Sequence, residues 1–173
     1  MIFLTQNSNI RRIDELGRVV IPKDIRKKLH IKDNEPLEIF IDNDEIKIRK
    51  YSSLPDIIEF IKKLIDIGNR ITGNSYIVTD REKIIASTDE TFEAVNLDSY
   101  LENLVFNCQE EKNSPFEFQN ETDKISGFAN IVPIIIDNDR CGLIIEYAKN
   151  KELKTQDTIK IFKNLVENSL SNY

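Results

Sequence analysis

The 173-residue chain is 40% hydrophobic and 31% charged, with only five Gly and five Pro. This composition excludes a disordered or low-complexity protein and allows either one domain or a small module joined to an ordinary one. The formal net charge of −6 is unevenly spread: residues 1–51 hold eleven Lys and Arg against nine Asp and Glu, and residues 52–173 hold thirteen against twenty-one. No apolar run approaches the roughly 20 residues of a membrane span, and the start MIFLTQNSN has neither a basic segment nor a small-residue cleavage site, so a cytoplasmic protein with no membrane partner is expected.

In chain order, RRIDELGRVVIP reads as strand, turn, strand. Gly17 suits a positive φ at the turn, and Val19, Val20 and Ile21 are β-branched. Pro22 ends the strand and suits the first turn of a short helix, in which Ile25 and Leu29 share a face. PLEIFIDNDEIKIRK reads as a hairpin, with Leu37, Ile39 and Ile41 on one face, a turn at 42–44, and Ile46 and Ile48 on the return strand. Leu16, Val19, Val20, Ile21, Leu37 and Ile39 are expected core. A unit of about fifty residues buries too little apolar surface to stand alone comfortably, so an obligate dimer is expected here on size grounds.

Residues 52–55 read as a linker, and Ser53 with Asp56 resembles a capping box opening a helix that runs to about residue 71. That helix carries an apolar stripe of Ile57, Ile58, Ile61, Leu64, Ile65 and Ile71. SYIVTD and KIIAST read as two strands and LDSYLENLVFNC as a second helix. Residues 107–124 read as a polar loop. GFANIVPIIID and CGLIIEYAK follow as two strands joined by DNDR, and a last helix from near Thr155 carries Ile159, Phe162, Leu165, Val166 and Leu170. Helices against a mostly antiparallel sheet make residues 56–173 an α+β, sensor-like domain.

Cys108 and Cys141 lack a C-x-x-C spacing, and His30 is the single histidine. A zinc site and a Ser-His-Asp triad are therefore not expected. The thiols read as reduced core residues and His30 as a loop residue at a helix end. Residues 10–28 hold seven basic and three acidic side chains, an electrostatic footprint for a polyanion.

The stretch RRIDELGRVVIPKDIRKKLHI, followed by PLEIFID and EIKIRKY, resembles the swapped-hairpin module of the AbrB family of bacterial transition-state regulators over roughly residues 8–51. The order of elements beyond it, with VPIIIDNDRCGLIIEY before the terminal helix, resembles a sporulation branch of that family whose second domain is GAF-like. The resemblance implies a fold in which residues 1–51 form a β-rich dimerisation and DNA-binding module and residues 56–173 a GAF-like domain. One departure is His30, where such modules usually end the helix with glycine.

The resemblance also implies double-stranded DNA as partner, with Arg11, Arg18, Arg26 and Lys27 at the family's basic contact positions. Arg12, Lys23 and Lys28 complete the candidate DNA-binding set. Arginine can fork onto guanine, so Arg18 and Arg26 are candidates for base reading, whereas the lysines suit phosphates. Asp14, Glu15 and Asp24 lie among them, so a merely solvated charged face is the competing view.

In the second domain, GAF-like folds hold a small molecule or pair with another copy. Tyr76, Phe116, Phe128 and Tyr147 are candidate pocket residues, with a core role as the simpler reading. The helix stripes, broadened by Phe60 and Ile161, leave room for an interface between two dimers, making a tetramer. The function expected is a transcription regulator, which the resemblance implies acts on sporulation genes, nucleoid-associated when bound to DNA and modulated by an unidentified effector. The alternative is an antitoxin, which would need an extended tail to wrap its toxin. With no histidine or phosphate-binding glycine loop in residues 56–173, no catalytic residue, cofactor or enzyme activity is expected.

Overall fold

The computed structural model describes residues 10–29, 31, 33, 36–119, 124–149, 152–153 and 156–170. His30, the first nine residues and Thr155 lie outside the described residues. The chain divides into two compact units, Met1–Tyr51 and Ser52–Tyr173.

Among its described residues the first unit holds a short helix, α1 (Lys23–Lys28), and a hairpin of β1 (Leu37–Asp42) and β2 (Glu45–Lys50). The hairpin register pairs Ile39 with Ile48 and Ile41 with Ile46, as the alternation requires. Asn43 and Asp44 both take positive φ, 48° and 62°, the backbone that lets a two-residue turn follow the strand twist. The strands expected on either side of Gly17 are not formed in this chain. The turn itself closes, with Gly17 N–H donating to Asp14 O at 2.9 Å and Asp14 N–H to Arg18 O at 3.1 Å. Beyond that pair the arms have no covered apolar face to hold a register, and a lone two-stranded ribbon is marginal.

The expected core of this unit is likewise not a core within one chain. Leu16, Val20 and Ile39 are 75%, 73% and 67% exposed, and Val19 is exposed as well. Ile21 and Leu37 are half-buried, and no described residue from 10 to 51 is fully buried. So short a unit has too much surface for its volume.

The second unit begins with a 3-10 turn, Leu54–Ile57, that leads into α2 (Ile58–Thr72). The Ser53 side chain makes no capping bond, so the capping box does not form; Asp56 N–H bonds the Ser53 carbonyl instead. Leu54, read as linker, is fully buried with the α2 stripe. Gly73, at φ 67°, ends α2 in the left-handed conformation.

Strands β3 (Ser75–Thr79) and β4 (Ile84–Ser87) precede α3 (Ser99–Asn107), whose N-cap is Asp98, accepting from Leu101 N–H. Then follow β5 (Glu111–Gln119), β6 (Lys124–Ile136), β7 (Asp139–Ala148) and α4 (Asp157–Leu170). The five strands form one antiparallel sheet in the order β4-β3-β7-β6-β5.

Strand β5 replaces half of the expected polar loop. Phe116 and Phe118 point inward and alternate with exposed Glu117. Its polar remainder and Pro115 are what an edge strand tolerates.

Period-2 alternation splits the core in two. Tyr76, Val78, Val132, Ile134 and Ile144 face α2 and α4, with Ile61, Ile65, Phe162 and Val166. Ile77, Ile131, Leu143, Ile145 and Tyr147 face α3, with Leu101, Val105, Phe116 and Phe118. Gly68 lets the two helices approach, since a Cβ there would sit 2.6 Å from the Phe162 ring. At the bulge between Ile134 and Ile135, the Ile135 N–H is taken by Glu167 of α4 at 2.7 Å.

Candidate nucleic-acid interface

The basic residues of 10–28 stand on three local supports. Arg11 and Arg12 lie on the arm before the turn, Arg18 just after Gly17, and Lys23, Arg26, Lys27 and Lys28 on α1. All are exposed except Arg26, which is half-buried. Pro22 caps α1 with φ −58° and its carbonyl accepts Arg26 N–H at 2.9 Å. Arg26, Lys27 and Lys28 fall in the last turn, where cations complement the helix dipole.

The turn is built around Asp14. Its Oδ1 accepts the N–H groups of Leu16 at 3.0 Å and Arg18 at 2.8 Å, and its Oδ2 accepts Arg18 Nε at 2.7 Å. The Arg18 N–H and guanidinium hold the Asp14 carboxyl below its ordinary pKa. Gly17 sits at φ 76° with nothing within 4 Å of where a Cβ would be, so it is there for the backbone and not for space.

Arg26 is held differently. Its Nη1 donates to Asp33 Oδ1 at 2.6 Å, a partner the sequence reading did not identify. Arg11 Nη1 donates, among the described residues, to Ile10 O alone, at 3.0 Å. Among the described residues, no hydrogen bond or ion pair joins Arg11 or Arg12 to the basic residues of α1. On the hairpin, Arg49 bonds Glu38 at 2.8 Å and lies 5.0 Å over the Phe40 ring, while Lys47 pairs with Asp42.

In the second unit the four candidate pocket aromatics do not share one cavity. Tyr76 lies on the α2/α4 face of the sheet, and Phe116 and Tyr147 on the α3 face, all deeply buried. An open groove of about 600 Å³ runs beside α3, with Asp98, Tyr100, Glu117, Ser126 and Gly127 along it and Phe116 in its wall. Cys108 and Cys141 are buried thiols not joined in a disulfide, in opposite core clusters. Among the described residues no three His, Cys, Asp or Glu side chains group as a metal site would need, and no helix is long and apolar enough to cross a membrane.

Residues 10–56 match the bacterial antitoxin family MazE, described as antidote-toxin recognition. Stage V sporulation protein T of Bacillus subtilis is 30% identical over 152 residues, which cover 83% of this chain and 85% of that protein. The chain belongs to the family of stage V sporulation protein T. That match is longer than either compact unit and so runs through both. The transition state regulatory protein AbrB of the same organism is 42% identical over 50 residues, 29% of this chain and 52% of that protein. The AbrB-type resemblance read from the sequence therefore holds, and the fold is α+β: an AbrB-like unit followed by a GAF-like one.

Proposed function

We propose that the protein is a sequence-specific, DNA-binding transcription regulator of sporulation genes that acts as a dimer or tetramer. Arg11, Arg12, Arg18, Lys23, Arg26, Lys27 and Lys28 contact double-stranded DNA, and residues 56–173 tune the binding through a small molecule, through assembly, or both. The observation that carries this reading is the basic cluster itself: six exposed cations and Arg26 in one short stretch, presented on a turn and a helix end. Most affinity for duplex DNA comes from such contacts to phosphate. The similarity to a transition state regulatory protein and to a sporulation protein supports the regulatory role.

The exposed apolar residues of the first unit support the dimer. Ile13, Leu16, Val20, Ile39, Ile41 and Ile46 form too much uncovered apolar surface for a free protein, and a second copy would cover it. Ile67 with Ile71 on α2, and Ile161 with Leu165 on α4, are exposed pairs four residues apart, which suit a further helical interface between dimers.

A gel-shift titration across salt concentrations tests the reading. Binding should fall steeply as salt rises, and Arg18→Ala and Arg26→Ala should each weaken it; salt-independent binding, or wild-type affinity in both variants, rejects it. The match to an antitoxin family favours a second reading, an antitoxin whose tail wraps a toxin. Against it, residues 58–170 carry a closed core on both faces of a sheet. Limited proteolysis separates the two: a regulator keeps residues 56–170 intact, whereas an antitoxin loses them first.

A further inference from the structure

Two arginines of the basic stretch are candidates to read bases, and the structure treats them unequally. A guanidinium reads guanine O6 and N7 with a pair of donors on one edge. The Nη1/Nη2 edge points away from the chain; the other edge includes Nε. Arg18 is held by Asp14 through Nε alone, its side chain is 72% exposed, and among the described residues no partner occupies either Nη. Arg26 is held by Asp33 through Nη1, and its side chain is 36% exposed. The outward edge is thus open on Arg18 and engaged on Arg26.

We propose that Asp14 is a positioning residue that aims the outward edge of Arg18 at a base, making Arg18 the base-reading arginine and leaving Arg26 to the phosphates. This rests on the DNA-binding reading above. Asp14 does it with one carboxyl group: Oδ1 fixes the backbone from Leu16 to Arg18, and Oδ2 fixes the side chain. Freezing the arginine beforehand removes ordering that binding would otherwise have to supply, so the benefit appears where geometry matters, at the correct base.

The two oxygens can be separated by substitution. Asp14→Asn keeps an oxygen for the Leu16 and Arg18 N–H groups but sets an NH₂ against Arg18 Nε, two donors face to face, so the turn persists and the arginine is released. Arg18→Lys keeps the charge and loses the fork.

The experiment uses the full-length protein and two probes: a duplex enriched by the wild type from a randomised library, and the same duplex with its sequence shuffled. Asp14→Asn should lower the preference for the enriched duplex by about ten-fold, the scale of one bidentate base contact. Binding to the shuffled duplex should be unchanged or tighter, since a negative charge near phosphate is lost. Arg18→Lys should lose the same preference, and the double variant should lose no more than Arg18→Lys alone, because Asp14 acts through Arg18. Arg26→Ala should weaken both duplexes by the same factor, because it removes a charge and no base contact. Far-UV circular dichroism and sedimentation confirm that each variant is folded and assembled.

A wild-type preference in Asp14→Asn overturns the proposal, as does equal weakening on both duplexes. If Arg18→Lys loses preference and Asp14→Asn does not, the positioning role fails and DNA binding stands. If the wild type enriches no duplex, the DNA-binding reading itself fails and takes this inference with it.

Discussion

Glu146 lies on β7 with 3% exposure and accepts three hydrogen bonds in the core of the second unit. Its Oε1 takes Asn74 Nδ2 at 2.7 Å and the Tyr76 hydroxyl at 2.9 Å, and its Oε2 takes Asn130 Nδ2 at 2.9 Å. Asn130 in turn accepts Asn113 N–H at 3.0 Å, and Asn113 accepts Leu153 N–H at 2.7 Å, so the network reaches from the end of α2 across the sheet to the approach to α4.

Glu146→Leu fits the space but removes every acceptor. A buried hydrogen bond is worth about 1 kcal/mol and an amide donor left dry costs about 1–3 kcal/mol, so the loss should be about 3–5 kcal/mol. For a unit of this size that lowers the melting temperature by about 10 °C or more. Glu146→Gln should cost less, about 1–3 kcal/mol, because a rearrangement of its neighbours pairs the new amide and leaves only the Asn74 Nδ2 dry. Its oxygen can stay on Asn130, and its NH₂ can donate to the Tyr76 hydroxyl, which then donates to Thr72 Oγ1, 3.1 Å away. Asn74 can turn its amide to bring round Oδ1, which is buried without a partner, to accept the other N–H. Urea unfolding of the full-length protein, followed by far-UV circular dichroism, measures both. A Leu variant within 1 kcal/mol of wild type, or a Gln variant as damaged as Leu, would refute the reasoning.

Val20→Asp and Ile39→Asp should shift the protein toward monomer in sedimentation velocity without unfolding the second unit, since both side chains are exposed within one chain and apolar. Burial raises the Cys108 thiol to about 11, so at pH 8 about one in a thousand is thiolate, and modification by a thiol reagent should track global unfolding. The Asp14 carboxyl is lowered from 3.8 by Arg18, so its stabilisation is fully present above that value and is lost as pH falls through the lower folded value. Preference for an enriched duplex should therefore be flat from pH 5 to 8 and should not decline with mild acid.

What could be read from the sequence was what neighbours along the chain decide. The turns at Asn43–Asp44 and Asp137–Asn138 are short Asx pairs that tolerate positive φ, and all four residues adopt it. The α2 and α4 stripes show helical spacing because each helix has one side to bury, although Ile71 and Leu165 proved to be on the outside. Strand β5 was illegible because only Phe116 and Phe118 mark its buried face, and its pairing with β6 is not local. The core of the first unit was expected in a dimer, and within one chain Leu16, Val19, Val20 and Ile39 are exposed. Alternating Ile and Val reveal that a face wants cover, but not whether its own chain provides it. At the site, the basic side chains were evident from charge alone. Their restraints were not: Asp33 lies seven residues from Arg26, and the four-residue spacing of Asp14 and Arg18 works through a glycine turn, not a helix.

Those restraints change what the charge count means. Seven basic residues against three acidic ones in residues 10–28 suggest a diffuse positive stretch, in which each cation is equally available to phosphate. Counterion release rewards only charge that is not already neutralised, so an arginine paired with a carboxylate contributes less to salt-dependent affinity than a free lysine. Asp14 and Asp33 each withdraw an arginine from that pool. On the proposed DNA-binding reading, the affinity that ignores sequence is carried chiefly by Lys23, Lys27, Lys28 and the arm arginines, which are exposed. Pairing at Nε costs Arg18 part of its long-range attraction but none of its outward edge, whereas pairing at Nη1 costs Arg26 part of both. A protein that must leave the wrong sites quickly and hold the right one benefits from this division, because lowering uniform attraction while keeping one oriented fork raises the ratio of specific to non-specific binding.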